Sequence, residues 1–149
     1  MEHNNSIVLV TSYDTLHSRA NEISDFFQSR NESKKDLVLF HHLPITDYTS
    51  IKKIPAENVI IIYKKDFIPL LNLLKSNIKN TLQNYSYTYL IHYNTHPQSF
   101  MYTSKIAQHI FSEIKISDRI QHKKNFHLIF PDSNSYLPTV SEYMNKIKT

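Results

Sequence analysis

The chain has 149 residues, a formal net charge of +4 and a pI near 9.2, and it contains neither cysteine nor glycine. Without cysteine there is no disulfide, no thiolate zinc site and no cysteine nucleophile. Without glycine, the P-loop, the dinucleotide GxGxxG turn and the GxSxG elbow are excluded in their standard forms, because these loops use glycine for positive backbone dihedrals or close backbone approach. The length and a hydrophobic fraction of 40% indicate one globular domain over residues 1–149.

The amino-terminal segment and the apolar runs predict a cytoplasmic protein. MEHNNSIVLVTSYD lacks the basic start and the long apolar run of a signal peptide. The longest apolar stretches, NVIIIY and FIPLLNLL, are far shorter than the roughly 20 residues that span a bilayer. No membrane partner is therefore expected, and the mild positive charge is compatible with an anionic ligand.

Strands and helices are predicted to alternate from the start of the chain. The β-branched run Ser6–Ser12 predicts a strand buried on both faces. Apolar residues at helical spacing predict a helix over Thr15–Arg30. A second strand is predicted at Asp36–His42, followed by a short helix or turn at Thr46–Lys53.

The middle of the chain continues this alternation. Asn58–Tyr63 predicts a central strand, and a helix is predicted from Phe67 to about Leu82. Tyr85–Tyr93 predicts a fourth strand. A long helix is then predicted from Pro97 to about Ile116.

The end of the chain completes the predicted sheet. A short helix or loop is predicted at Ser117–Lys124, a fifth strand at Phe126–Phe130 and a terminal helix from Pro138. Five strands alternating with helices indicate an α/β, three-layer, doubly wound fold with a mainly parallel sheet, flavodoxin-like or Rossmann-like, and strand order 2-1-3-4-5 is preferred. Asn31 and Asn84 are predicted to supply the left-handed helix caps that glycine usually provides.

The carboxyl ends of parallel strands share one edge of the sheet, and ligands bind there at the topological switch point. Five of the nine histidines lie at or shortly after the carboxyl ends of the predicted strands. The opposite edge is richer in lysine, with pairs at 34–35, 52–53 and 123–124. The polar residues of the carboxyl edge are Thr11, Ser12, Tyr13, Asp14, Thr15, His17, His41, His42, Lys64, Lys65, Asp66, His92, Asn94, Thr95, His96, Asp132, Ser133, Asn134 and Ser135.

The first loop, TSYDTLHSRA, predicts an anion site. A buried strand runs into hydroxyl residues and a helix N-terminus, whose free N–H groups attract negative charge. We expect a small anionic, nucleotide-like ligand in a regulatory or sensing role. Its predicted binding residues are Thr11, Ser12, Asp14 and Thr15, with His92 and Asn94 across the cleft. The alternative is ordinary helix capping by Asp14 or Thr15. The cofactor that would bind here is unknown from the sequence.

The segment HYNTHP supplies two candidate catalytic residues, His92 and His96. Histidine titrates near neutrality, so either side chain suits a general acid or base, and a histidine-dependent hydrolase or phosphodiesterase is a second alternative. No metal site is predicted, because cysteine and a nearby glutamate are missing. Nucleic acid is not expected as a partner, because no nucleic-acid-binding signature accompanies the tyrosine-rich strand.

Two resemblances concern the same part of the chain. SIVLVTSYDTLHSRANEI resembles the strand, hydroxyl-rich loop and helix that open flavodoxins, although the glycine usual in that loop is missing. It also resembles the start of TIR domains, and YLIHYNTHP is similar to their fourth strand and the proline-containing loop after it. The TIR resemblance implies self-association or a protein partner. It implies no NAD cleavage, because the catalytic glutamate has no counterpart in FIPLLNLLKSNIKNTL.

Overall fold

A computed structural model describes residues 5–119, 122, 124–131 and 135–147. These residues form a six-stranded sheet, parallel throughout, with helices on both faces and a separate two-stranded hairpin. The predicted α/β, doubly wound class is confirmed. No helix within the described residues is both long and apolar enough to cross a membrane. The elements are β1 Ser6–Ser12, α1 Tyr13–Ser18, α2 Ala20–Ser29, β2 Lys34–His41, α3 Thr49–Lys52, β3 Asn58–Tyr63, a 3-10 turn Lys64–Asp66, β4 Phe67–Ile68, β5 Leu73–Leu74, α4 Ser76–Gln83, β6 Ser86–His92, α5 Pro97–Gln108, β7 Phe111–Ser117, β8 Leu128–Ile129 and α6 Tyr136–Ile147.

The strand order of the sheet is β3-β2-β1-β6-β7-β8. Numbered by their occurrence in the sheet, the strands follow the order 3-2-1-4-5-6, which is that of Rossmann folds. The preferred order 2-1-3-4-5 was wrong, because β3 pairs outside β2 instead of beside β1. The chain then returns to the centre, where Leu9 of β1 lies opposite Ile91 of β6. The topological switch point therefore lies between β1 and β6.

The central strand β1 divides two cores. Its alternating side chains place Ile7 and Leu9 in one apolar cluster and Val8 and Val10 in the other. Helices α1, α2, α3 and α6 cover the first face, whereas α4, α5 and the hairpin cover the second. The covering elements contribute Leu16, Phe27, Ile51 and Val140 to the first cluster and Phe67, Leu82 and Ile106 to the second.

Two long helix predictions were wrong over part of their length. The segment from Phe67 to about Leu82 begins as the hairpin β4–β5 and becomes helical only in α4. The helix predicted from Pro97 to about Ile116 ends with α5, and the following residues form β7. The apolar residues of the segment FSEIKIS fit both the helical period and the two-residue period of a strand. Parallel pairing with β6 makes the segment a strand. The sheet therefore has six strands instead of five.

Several element boundaries also differ from the prediction. The helix predicted over Thr15–Arg30 is two helices, α1 and α2, which meet at Arg19 with φ −125° and ψ 29°. Ser12 is the N-cap of α1, instead of Asp14 or Thr15. The last helix begins two residues before Pro138, and the strand predicted near the carboxyl terminus shortens to β8.

The predicted left-handed caps were wrong. Asn84 has φ −77°, and Asn31 is not among the described residues with positive φ. Those residues are Leu70 (φ 70°) and Asn72 (φ 52°), in the loop that joins β4 to β5. Left-handed backbone is disfavoured for a residue with a side chain such as that of leucine. In a chain without glycine, the strained positions thus lie at the tip of the hairpin.

Candidate functional site

Five residues meet where the carboxyl ends of β1 and β6 diverge. We call Ser12, Thr15, Asn94, Thr95 and His96 the switch-point cluster. The carboxamide oxygen of Asn94 accepts hydrogen bonds from Ser12 Oγ, Thr15 Oγ1 and the backbone N–H of His96, each at 3.0 Å. One buried amide thus ties the loop after β1 to the loop after β6.

Further hydrogen bonds close the switch-point cluster. Ser12 Oγ accepts from the backbone N–H of Thr15 at 3.2 Å, which caps α1. Thr15 Oγ1 accepts from the backbone N–H of Thr95 at 3.0 Å and lies 3.3 Å from Nδ1 of His96. Ser12, Thr15 and Asn94 are buried. These groups satisfy one another, so the predicted contact of Ser12, Thr15 and Asn94 with a ligand stays a prediction.

Two residues of the predicted anion site lie outside this network. Thr11 is buried in β1, and its hydroxyl has no hydrogen-bond partner among the described residues. Asp14 lies half-buried in the first turn of α1 and does not cap the helix. Their predicted binding role also stays a prediction.

His92 lies beneath the switch-point cluster in a second polar group. Its ring is fully buried, with Nε2 2.8 Å from Thr103 Oγ1 and Nδ1 3.9 Å from Asp118 Oδ1. Thr103 Oγ1 also accepts from the side-chain amide of Asn94 at 3.3 Å, which connects the two groups. Burial lowers the pKa of His92, although the nearby Asp118 carboxylate opposes that shift.

His122 packs edge-on against His92, with ring centroids 4.6 Å apart. Its Nε2 lies 2.7 Å from Ser104 Oγ and its Nδ1 lies 2.6 Å from Ser117 Oγ. Burial, followed by the charges of His92 and Arg119, lowers the pKa of His122 to about 3. A histidine with a pKa this far below neutrality is a weak general base at neutral pH. The predicted catalytic roles of His92 and His96 stay predictions.

Sequence reasoning missed Thr103, Ser117, Asp118 and His122. A signal for Thr103 was available, because a hydroxyl interrupts the apolar stripe that was predicted on α5. Ser117 ends β7 and Asp118 follows it, so both belong to the carboxyl edge. The helix predicted up to about Ile116 concealed the strand that ends at Ser117, and with it the position of both residues.

The open part of the carboxyl edge lies after β2 and β3. A groove of about 470 Å³ is present there. We call it the lysine groove, and its lining residues are His42, Lys64, Lys65, Phe67, Ile68, Pro69, Asn72 and Lys75. None of these residues carries a carboxylate, so the lining combines three ammonium groups with apolar and neutral polar side chains.

The cations of the lysine groove are not neutralised nearby. Lys64, Lys65 and Lys75 are exposed, and none forms an ion pair within the part of the chain that the structure describes. Asp66, their neighbour in sequence, uses its carboxylate to accept from the backbone N–H of Tyr63 at 2.8 Å. The groove is therefore an electropositive surface.

His42 lines the lysine groove on the side that contacts the core of the domain. Its ring packs edge-on against Phe40 and Tyr102, with centroids 5.0 Å and 5.4 Å away. Its Nε2 is buried and has no hydrogen-bond partner among the described residues. Burial lowers the pKa of His42, and the positive charge of Lys64 lowers it further. The lowered pKa of His42 favours a neutral ring at neutral pH, and its Nε2 is buried without a partner among the described residues.

A larger cavity, of about 640 Å³, lies at the opposite edge of the sheet. It is formed by the amino ends of β1, β6 and β7, and Glu113 is the one charged residue in its lining. A negative lining does not suit an anion, and parallel sheets bind ligands at the other edge. We therefore place the candidate site at the lysine groove.

Within the described residues there is no group of three or more His, Cys, Asp or Glu side chains that could hold a metal ion. The predicted edge residues Asp132, Ser133 and Asn134 lie outside the described residues.

Comparisons with known proteins do not identify a family for this chain. No protein-family model matches the chain, and no curated protein and no solved structure matches it. The function of this chain is therefore inferred from the residues of the site alone.

Proposed function

We propose that this domain binds a small anionic, nucleotide-like ligand, with its phosphate groups in the lysine groove. The observation that carries the proposal is the convergence of Lys64, Lys65 and Lys75 on a 470 Å³ groove whose lining has no carboxylate. Lysine binds phosphate as a mobile point charge and needs no glycine-rich loop. This chemistry suits a chain without glycine.

The position of the groove supports the same function. It lies at the carboxyl edge of a sheet with Rossmann strand order, where α/β domains bind ligands. Unlike the switch-point cluster, the groove is open and its cations lack ion-pair partners among the described residues. A ligand can therefore enter without breaking hydrogen bonds of the fold.

His42 gives the site a means of orienting the ligand. Nε2 of the neutral His42 is buried and unpartnered among the described residues. If the ring turns toward the groove, this nitrogen can donate to or accept from a polar group of a ligand. The lining otherwise offers cations and apolar surface, which favours binding over acid–base catalysis. The proposed role is therefore regulatory or sensing, and the cytoplasmic location predicted from the sequence stays a prediction.

Calorimetric titration with ADP, AMP, pyrophosphate and inorganic phosphate tests this function. We expect at least one of these anions to bind. The variant Lys64→Gln/Lys65→Gln/Lys75→Gln should lose more than about tenfold in affinity, since hydrogen bonds to charged groups each contribute roughly 1.5–3 kcal/mol. A saturating ligand should also stabilise the wild type by about 2.7 kcal/mol at 100 times its dissociation constant.

The matched control is Lys52→Gln/Lys53→Gln/Lys124→Gln. It removes the same charge from exposed lysines outside the groove and should keep the wild-type affinity. Equal weakening in both triple variants would show attraction by overall charge and would refute a site. Failure of all four anions to bind would also refute the proposal.

A further inference from the structure

The hairpin β4–β5 exposes several large apolar side chains. Leu70 at its tip is 99% exposed, and Leu71 and Leu73 are 62% and 50% exposed. Asn72 is held by its backbone N–H, which donates to Ile68 O at 2.9 Å, and by its carbonyl, which accepts from Lys105 Nζ at 2.5 Å. The hairpin therefore presents leucines on a fixed, strained turn, as interaction surfaces do.

A groove of opposite character lies between α2 and α6. Its volume is about 370 Å³, and Phe26, Leu137 and Pro138 supply its apolar lining. Glu22, Asp25 and Glu142 also line it, and none of its lining residues is basic. We call it the acidic groove. The hairpin has the complementary pattern, because its exposed Leu70 and Leu71 lie in the chain between Pro69 and Asn72, which line the lysine groove together with the three lysines.

The hairpin and the acidic groove cannot meet within one molecule. Phe67 of the hairpin packs in the core on one face of the sheet, whereas Phe26 and Leu137 pack in the core on the other face. Two hairpins would also repel each other through their lysines, and two acidic grooves through their carboxylates. Complementarity therefore requires two copies joined through unlike surfaces.

We propose that this protein self-associates head to tail, with the hairpin of one copy seated in the acidic groove of the next. Leu70 fills the apolar part of the groove, while Lys64, Lys65 and Lys75 face the carboxylates of Asp25 and Glu142. Such a heterologous contact leaves one hairpin and one groove free at the two ends, so it forms either closed rings or open chains. The proposed anion site uses the same three lysines. Leu70 separates the two proposals, because only self-association needs its side chain and Leu70→Glu leaves the three lysines in place.

Sedimentation velocity over a wide concentration range tests the proposal on the full chain. We expect the wild-type mass to increase with concentration, and added salt to weaken the association because it screens the charges. Leu70→Glu should stay monomeric because it removes the apolar tip. Asp25→Lys/Glu142→Lys should stay monomeric because it reverses the groove rim. Phe111→Glu is the matched control, since Phe111 is 71% exposed at the amino end of β7 and should still associate.

Mixing the two monomeric variants gives the sharpest result. Leu70→Glu keeps an intact groove and Asp25→Lys/Glu142→Lys keeps an intact hairpin, so the mixture should form a complex of one copy each and grow no further. Circular dichroism should show both variants folded, because all three positions are at the surface. A wild type that remains monomeric, a mixture that does not associate, or loss of association in the control would each overturn the proposal. Binding of monomeric wild type to phosphatidylserine vesicles, lost in Leu70→Glu, would also overturn it by assigning the hairpin to a bilayer.

Discussion

The carboxyl edge of this sheet has two halves, and their polar side chains are in opposite environments. At the ends of β1 and β6, hydroxyl, amide and imidazole groups are buried and hydrogen-bonded to one another. At the ends of β2 and β3, lysines stand exposed around an open groove. Polar residues after a strand therefore do not by themselves mark a ligand site. What distinguishes the two halves is whether their hydrogen-bonding groups already have partners within the fold.

The largest effect expected from this comparison is on the closed half. Asn94→Ala removes the acceptor shared by Ser12, Thr15 and His96 and leaves buried donors unpaired. Each unpaired buried group costs about 1–3 kcal/mol, so we expect the free energy of unfolding to fall by about 3 kcal/mol. Urea denaturation measures this, with Asn84→Ala, at an exposed helix end, as the control. A loss below about 0.5 kcal/mol, typical of surface sites, would contradict the role assigned to the cluster.

Acid should destabilise the same half through His122. Its folded-state pKa of about 3 lies below the ordinary value of about 6.5, so between these values the unfolded chain binds the extra proton. Stability from this group is therefore complete above pH 6.5 and falls as the pH decreases. Between pH 7 and pH 5 the loss should be about 2 kcal/mol.

Proton NMR of the imidazole and urea denaturation at the two pH values check this expectation. The His122 ring should not titrate near pH 6.5 in the folded protein. The variant His122→Phe, which keeps the aromatic packing on Phe126, should show a smaller loss of stability on acidification. If the His122 ring instead titrates at its ordinary pKa, the polar group around His92 and His122 is open to water and the expectation is contradicted.

In the open half, by contrast, a substitution at Leu70 should increase the free energy of unfolding. Leu70→Gly relieves a positive φ of 70° that costs a residue with a side chain about 1–2 kcal/mol. Because glycine also loses more entropy on folding, we expect a net gain of about 1 kcal/mol. Leu71→Gly is the matched control, since Leu71 is also exposed but has no positive φ. It should lose about 0.5–1 kcal/mol, and equal losses in both variants would argue against strain at Leu70.

The sequence predicted the α/β class because strand and helix periods are local properties. The continuous apolar run of β1 and the spacing of Ile23 and Phe27 are readable without knowledge of the partners. The same local patterns misled where apolar residues fit both periods. Phe111–Ser117 became a strand because it pairs with β6, and Phe67–Leu74 a hairpin because Phe67 and Leu74 pack against the sheet beside Phe40.

The sequence by itself determined which chemistry this protein lacks and which residues follow β1, β2, β3 and β6. The missing glycine excluded a backbone phosphate loop, and most polar residues of the edge could be named in advance, although Lys75, Ser117 and Asp118 could not. Only the tertiary structure decided that Ser12, Thr15 and Asn94 satisfy one another while Lys64, Lys65 and Lys75 remain exposed. The reason is that satisfaction of a polar group depends on neighbours about 80 residues away in the chain. The strand order, which brings those neighbours together, is a property of the whole sheet.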